Sequence, residues 1–239
     1  MITNSKMISS IVLSSRHLKE LDLLKSFVKN TFLHPNPDFN KVCLNKNSTY
    51  EEIYLAGLEK QYYNIILEDN SYFQFNFSEQ EDSAEGVITP FARYAFYPNP
   101  FINDQYSLAE YYGLYNSGDI TFEEYSQVYS ESKPLLKKVS IRYDFSCSQY
   151  KKIYHPAAHF HFGIAENTRV ATDKFFSPLA FTMFIINMYY ISDMQKISKD
   201  FNLENKYIAE FKNLIKVKSF SKDDIDFYCN LQEELISIK

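Results

Sequence analysis

Residues 139–145, Val-Ser-Ile-Arg-Tyr-Asp-Phe, alternate in polarity, with Ile141, Tyr143 and Phe145 interleaved by Arg142 and Asp144. Side chains of an extended chain point alternately to opposite faces, so this pattern specifies a strand with one apolar and one charged face. A second segment repeats it: His159 and His161 alternate with Phe160, Phe162 and, beyond Gly163, Ile164. If the two strands pair, one sheet face is apolar and must be covered. The other face then carries two imidazoles, a guanidinium and a carboxylate. That juxtaposition limits the fold to one that packs helices on the apolar face and makes a site possible on the other.

Helical periodicity marks the ends of the chain. Leu18, Leu21, Leu24, Val28 and Phe32 recur at spacings of three and four, which predicts a helix over residues 5–33. His34-Pro35-Asn36-Pro37 ends it. A short helix over 49–58 starts at Thr49, with Glu52 placed for a capping box. Residues 62–68 and 72–78 read as a hairpin around Asp69-Asn70-Ser71. Residues 79–86 read as an acidic exposed loop, and 91–97 as a third strand ended by Pro98 and Pro100. The tyrosine-rich stretch 103–118 is ambiguous. A helix over 121–132 is capped by Asp119 or Thr121. After the Arg142 and His159 strands, 167–177 reads as a polar connection, and Pro178 opens a helix running to about 194. Further helices are expected over 203–216 and 222–237. No repeat or low-complexity linker divides the sequence, so residues 1–239 read as a single domain. The expected class is α+β, a central, mainly antiparallel sheet flanked by N- and C-terminal helices.

Charge and cysteine usage limit the function classes. The net charge is −5, so binding of nucleic acid by the whole surface is disfavoured, because phosphate binding needs a basic field. A local groove is compatible with Lys137, Lys138, Arg142, Lys151 and Lys152, which cluster near the candidate site. The three cysteines, Cys43, Cys147 and Cys229, are odd in number and widely spaced, which fits a reducing cytoplasm better than a disulfide framework. The start of the sequence has no signal-peptide pattern. The longest apolar stretch, residues 178–191, is shorter than a membrane span and contains Asn187, so no membrane role is expected. Neither GxGxxG nor GxxxxGK[ST] occurs, which argues against ATP or dinucleotide use. The 20 tyrosines and 21 phenylalanines supply core volume and, for some tyrosines, a binding surface.

The run Arg142-Tyr-Asp144, His155-Pro156-x-x-His159-x-His161, Arg169 and Ser177-Pro178 resembles an uncharacterised family of prokaryotic proteins. The Tyr97-Pro98-Asn99-Pro100 segment is associated with the same family. The resemblance covers most of the chain and implies positions rather than an activity. An Arg-Tyr-Asp strand followed by histidines is also similar to small bacterial toxins, some of them ribonucleases. That likeness implies a toxin or anti-phage effector, with RNA or DNA as substrate or a protein partner in a defence complex.

Three chemistries suit these residues. In a metal-independent nuclease, His159 and His161 divide the proton transfers, since imidazole titrates near neutrality. Arg142 then holds the phosphate and Asp144 fixes an imidazole tautomer. Arg93 or Arg169 is a second clamp, and His155 joins the substrate-binding set. In the second chemistry no cofactor is built in, but a divalent metal sits on the His-x-His pair, with His155 or Asp144 as a third ligand. In the third, the His/Arg/Asp cluster is structural or binds a ligand, and the protein is a non-catalytic interaction or regulatory subunit. The nuclease, a phosphodiesterase, is the leading expectation.

Overall fold

The computed structural model describes residues 3–82, 87–101, 108–131, 138–150, 155–164, 169–190, 215–216 and 237–238. Its helices are α1 (Asn4–Glu20), α2 (Pro37–Leu44), α3 (Tyr50–Glu59), α4 (Leu108–Ser117), α5 (Phe122–Glu131) and α6 (Pro178–Tyr189). Strands β1 (Leu24–Phe27), β2 (Ile65–Leu67), β3 (Tyr72–Asp82), β4 (Val87–Tyr97), β5 (Ile141–Ser146), β6 (Ala158–Phe162) and β7 (Val170–Thr172) pair antiparallel in chain order. A separate ribbon joins β8 (Lys174–Phe175) to β9 (Ile215–Lys216). Strand β10 (Ser237–Ile238) adds to β7 in parallel. The fold is α+β, with helices flanking one sheet. Among the described residues, no helix is long and apolar enough to cross a membrane.

Alternation sets the two faces. Phe73 and Phe75 of β3, Tyr94 and Phe96 of β4, Tyr143 and Phe145 of β5, and Phe160 of β6 are fully buried in one cluster. Helices α1 and α6 cover them through Ile11, Leu18, Phe181 and Ile185. Phe181 packs edge-on against Phe73 and Phe75. The two helices are joined where the Leu179 backbone N–H donates to the Ser10 hydroxyl at 2.8 Å. Each buried ring contributes roughly 1.5–3 kcal/mol of transfer free energy. The opposite face holds Tyr72 and Tyr97, which pack with α2 and α3 through Tyr54, Phe39 and Ile53.

Several local expectations are met. Thr49 accepts from the Glu52 backbone while the Glu52 carboxylate accepts from the Thr49 backbone, a complete capping box. Thr121 and Glu124 form the same reciprocal pair at α5. Asn70 turns the β2–β3 hairpin at φ 62°, and the Ser177 hydroxyl caps α6, with Pro178 in its first turn.

Other expectations are corrected. The first helix ends at Glu20, not near residue 33. Asp22 adopts φ 52°, and the Leu23 N–H reverses to the Leu18 carbonyl at 2.9 Å, which closes the helix. Leu24–Phe27 then pairs with β2 as the edge strand. Residues 34–37 also begin a helix: the Asn36 side chain accepts from Asp38 and Phe39, and Pro37 occupies the first turn of α2. The expected acidic loop is strand as far as Asp82, because the β3–β4 ladder runs out to Asp82↔Val87. The expected connection over 167–177 contains β7 and β8. At the C-terminus, Ile215–Lys216 and Ser237 are in strands, held by pairing to β8 and β7. The remainder of the two expected terminal helices lies outside the described residues.

Candidate functional site

The charged face forms in the expected register. Arg142 of β5 lies opposite His161 of β6, and Asp144 lies opposite His159. On the other side of β5, Arg93 of β4 lies opposite Asp144. Cross-strand neighbours on one face are within side-chain reach, so three strands deliver five chemically active groups to one place.

Asp144 is the hub. Its Oδ1 accepts from Arg93 Nε at 2.9 Å and its Oδ2 from Arg142 Nε at 3.0 Å. The Asp144 side chain is 7% exposed, whereas the Arg93 and Arg142 side chains are 45% and 37% exposed. The arginines are therefore anchored at their inner ends and open to solvent at their outer ends. Their Nη nitrogens carry no hydrogen bond to any described residue. Burial alone would raise the Asp144 pKa. The His161 hydrogen bond and the Arg142 and Arg93 charges outweigh it and hold the carboxyl well below the usual carboxylate range.

The imidazoles lie deeper. His159 is 1% and His161 3% exposed. His159 Nδ1 donates to the Pro156 carbonyl at 2.9 Å, which leaves Nε2 as the bare nitrogen of a neutral ring. That Nε2 is 3.0 Å from His161 Nε2, which is itself 3.5 Å from Asp144 Oδ2. Burial pushes His159 down to about 4, more than the nearby Asp144 charge raises it. His161 is lowered too, by burial first, against the opposing hydrogen bond to Asp144. His161 Nδ1 is buried and has no partner among the described residues.

A cleft of about 230 Å³ opens beside this cluster, between Asn40 and Cys43 of α2 and Arg93, Arg142 and His161 of the sheet. Ala95, opposite Arg142, leaves space at its floor. Burial pushes the Cys43 thiol up to about 11 despite the two arginines, so it remains protonated and is no nucleophile. Gly163 ends β6 at the cleft rim with φ 76°, and no atom would contact an added Cβ. Its role is backbone conformation, not close approach.

Of the residues singled out from sequence, Arg93, Arg142, Asp144, His159 and His161 come together. His155 stacks edge-on to His159 with ring centroids 4.8 Å apart, away from the cleft lining. Arg169 is exposed at the start of β7 and does not line the cleft either; its charge helps depress His155 and His161, behind the larger effect of burial. The α2 wall was missed. The signal for it is Asn36-Pro37-Asp38, a cap, a first-turn proline and a first-turn acid. The donor atoms of Asp144, His159 and His161 lie within 4.8 Å of one another, a set able to hold a metal ion.

No curated protein and no solved structure matches the chain. A family match covers residues 23–222 and includes every residue of the cluster and cleft. The chain belongs to the family described as an uncharacterized conserved protein, DUF2290.

Proposed function

We propose that the cleft binds a phosphate diester and that the protein is a phosphodiesterase of the nuclease type. The observation that carries this reading is the pair of guanidinium groups tied by Nε to one buried carboxylate, with Nη ends that carry no hydrogen bond to a described residue, in side chains that line the same cleft as His161. Such forks match phosphate oxygens and stabilise the charge that builds during phosphoryl transfer. Their side-chain entropy is already spent on the Asp144 contacts, so a ligand has less order to impose. His161 lines the cleft, which supports it as the group that moves a proton there. His159, sealed and neutral, orients His161 by accepting at Nε2. With a net charge of −5 on the chain, nucleic-acid contact would be confined to this local basic pair and its surroundings.

The test is cleavage of labelled total RNA, single-stranded DNA and duplex DNA by purified protein, with and without EDTA, beside a folded Arg93→Ala/Arg142→Ala variant. Cleavage lost in the variant supports the proposal. Cleavage that is equal in the variant, or no cleavage of any substrate, overturns it.

A second reading is a non-catalytic subunit that binds a nucleotide-like ligand at the same arginines. The 1% exposure of His159 favours it, because a ring shut from solvent serves structure as readily as catalysis. Binding without cleavage would select it. A toxin or anti-phage effector role is the cellular form of the first reading. Growth arrest on induction of the wild type, absent with Arg142→Ala, would support that role.

A further inference from the structure

We propose that Asp144, His159 and His161 form a binding site for a divalent transition-metal ion of the zinc class, directly behind the arginine pair. The inference is carried by the convergence of three donor atoms. His159 Nε2 and His161 Nε2 are 3.0 Å apart, and Asp144 Oδ2 is 3.5 Å from the second and 4.0 Å from the first. A tetrahedral zinc ion with bonds of about 2.0–2.2 Å requires donors roughly 3.4 Å apart. The three separations bracket that value, and coordination would need shifts of only a few tenths of an ångström.

Tautomer control supports the assignment. Metal-ligating histidines typically donate their other ring N–H to a backbone carbonyl or carboxylate, which fixes the ring and leaves the second nitrogen bare. The His159 Nδ1 bond to the Pro156 carbonyl does this. Asp144 Oδ2 accepts a bond from Arg142, and its second lone pair, which faces His161 Nε2 at 3.5 Å, is the one an ion would take. Without an ion, the same three atoms are linked by the His161 Nε2–H, which donates to His159 Nε2 at 3.0 Å and faces Asp144 Oδ2 at 3.5 Å, and the titration below separates the two arrangements. His161 Nδ1 has no partner among the described residues under either arrangement and favours neither.

Two imidazoles and one carboxylate suit Zn²⁺ or a neighbouring transition ion, whereas Mg²⁺ prefers an oxygen shell. Arg93 and Arg142 already offset the Asp144 charge, so a dication leaves the pocket strongly positive. That field selects an anionic co-ligand in the cleft. With the ion bound, both Nε2 lone pairs are taken up, so the ion would replace the His159–His161 hydrogen bond and the proton-transfer role given to His161 above; only the anionic co-ligand rests on the phosphodiester reading, and the ion itself is tested alone.

Chelator-stripped protein would be titrated with Zn²⁺ by calorimetry, with Co²⁺ by visible absorption, and with Mg²⁺ as the contrast. The expected result is one equivalent of Zn²⁺, no competing Mg²⁺ binding, and the intense absorption of a four- or five-coordinate Co²⁺ complex. Folded His161→Gln should weaken Zn²⁺ binding beyond the ~10–100-fold that loss of an outer-shell partner costs. His159→Gln is the second variant, each checked by circular dichroism. Absence of saturable Zn²⁺ binding by folded wild type overturns the proposal. So does binding that a folded variant leaves unchanged, or a weak octahedral Co²⁺ spectrum. These readouts contain no nucleic acid, so a negative result leaves the phosphodiesterase reading to its own cleavage assay.

Discussion

Replacing His159 with Gln should remove an acid-sensitive term from the stability of the sheet. Burial pushes the folded-state pKa of this imidazole from its ordinary 6.5 down to about 4. Between those values the unfolded chain binds a proton that the native protein refuses, so stability falls as pH falls. At about 1.36 kcal/mol for each pH unit, the loss across the interval is about 3 kcal/mol, and about 1 kcal/mol is gone by pH 5.5. The contribution is fully present above pH 6.5 and exhausted near pH 4. His155 and His161 are shifted in the same direction. They remain in the variant, so the comparison reads the His159 contribution together with its coupling to those two rings. The assay is urea unfolding of metal-free protein, wild type against His159→Gln, from pH 7.5 to 4 in the presence of chelator. The stability advantage of wild type at pH 7.5 should shrink by about 3 kcal/mol over that range. A difference that stays constant with pH would refute the claim that this ring is held neutral by burial.

Asp144→Ala frees two charge-assisted hydrogen bonds; since both arginines are more than a third exposed, the low end of the usual range applies, about 3 kcal/mol for the pair by urea unfolding. Because the Asp144 pKa is depressed, that loss should be unchanged from pH 7 to 5 and should diminish only as pH falls below about 4. Gly57→Ala places a Cβ 2.0 Å from the hydroxyl of buried Tyr72, which donates to the Tyr54 carbonyl, so a destabilisation of about 1–3 kcal/mol is expected in thermal melts.

The site was legible in the sequence because period-two alternation survives folding unchanged. Once β5 and β6 pair, Arg142, Asp144, His159 and His161 must share a face, and the core rings Tyr143 and Phe160 must share the other. The end of α1 was not legible. Leu21, Leu24 and Val28 keep helical spacing, yet Leu24 lies in a strand because Asp22 turns the chain and β2 offers an edge. The cleft was not legible either. Its α2 wall begins within Pro35-Asn36-Pro37, residues that break one helix as readily as they start another. Depth was the third gap. Alternation names the face on which His159 sits, but only the packed structure shows that the ring is shut from water while Arg93 and Arg142 are not.

Phosphate contact at Arg93 and Arg142 is open to direct measurement. The measurement is fluorescence anisotropy of short labelled RNA and DNA oligonucleotides with folded wild type, Arg93→Ala and Arg142→Ala, across a salt series. Saturable binding should weaken with salt and fall at least about tenfold in either variant, with a shallower salt slope. Binding that is identical in the variants, or no binding by folded wild type, would rule out phosphate contact at these arginines.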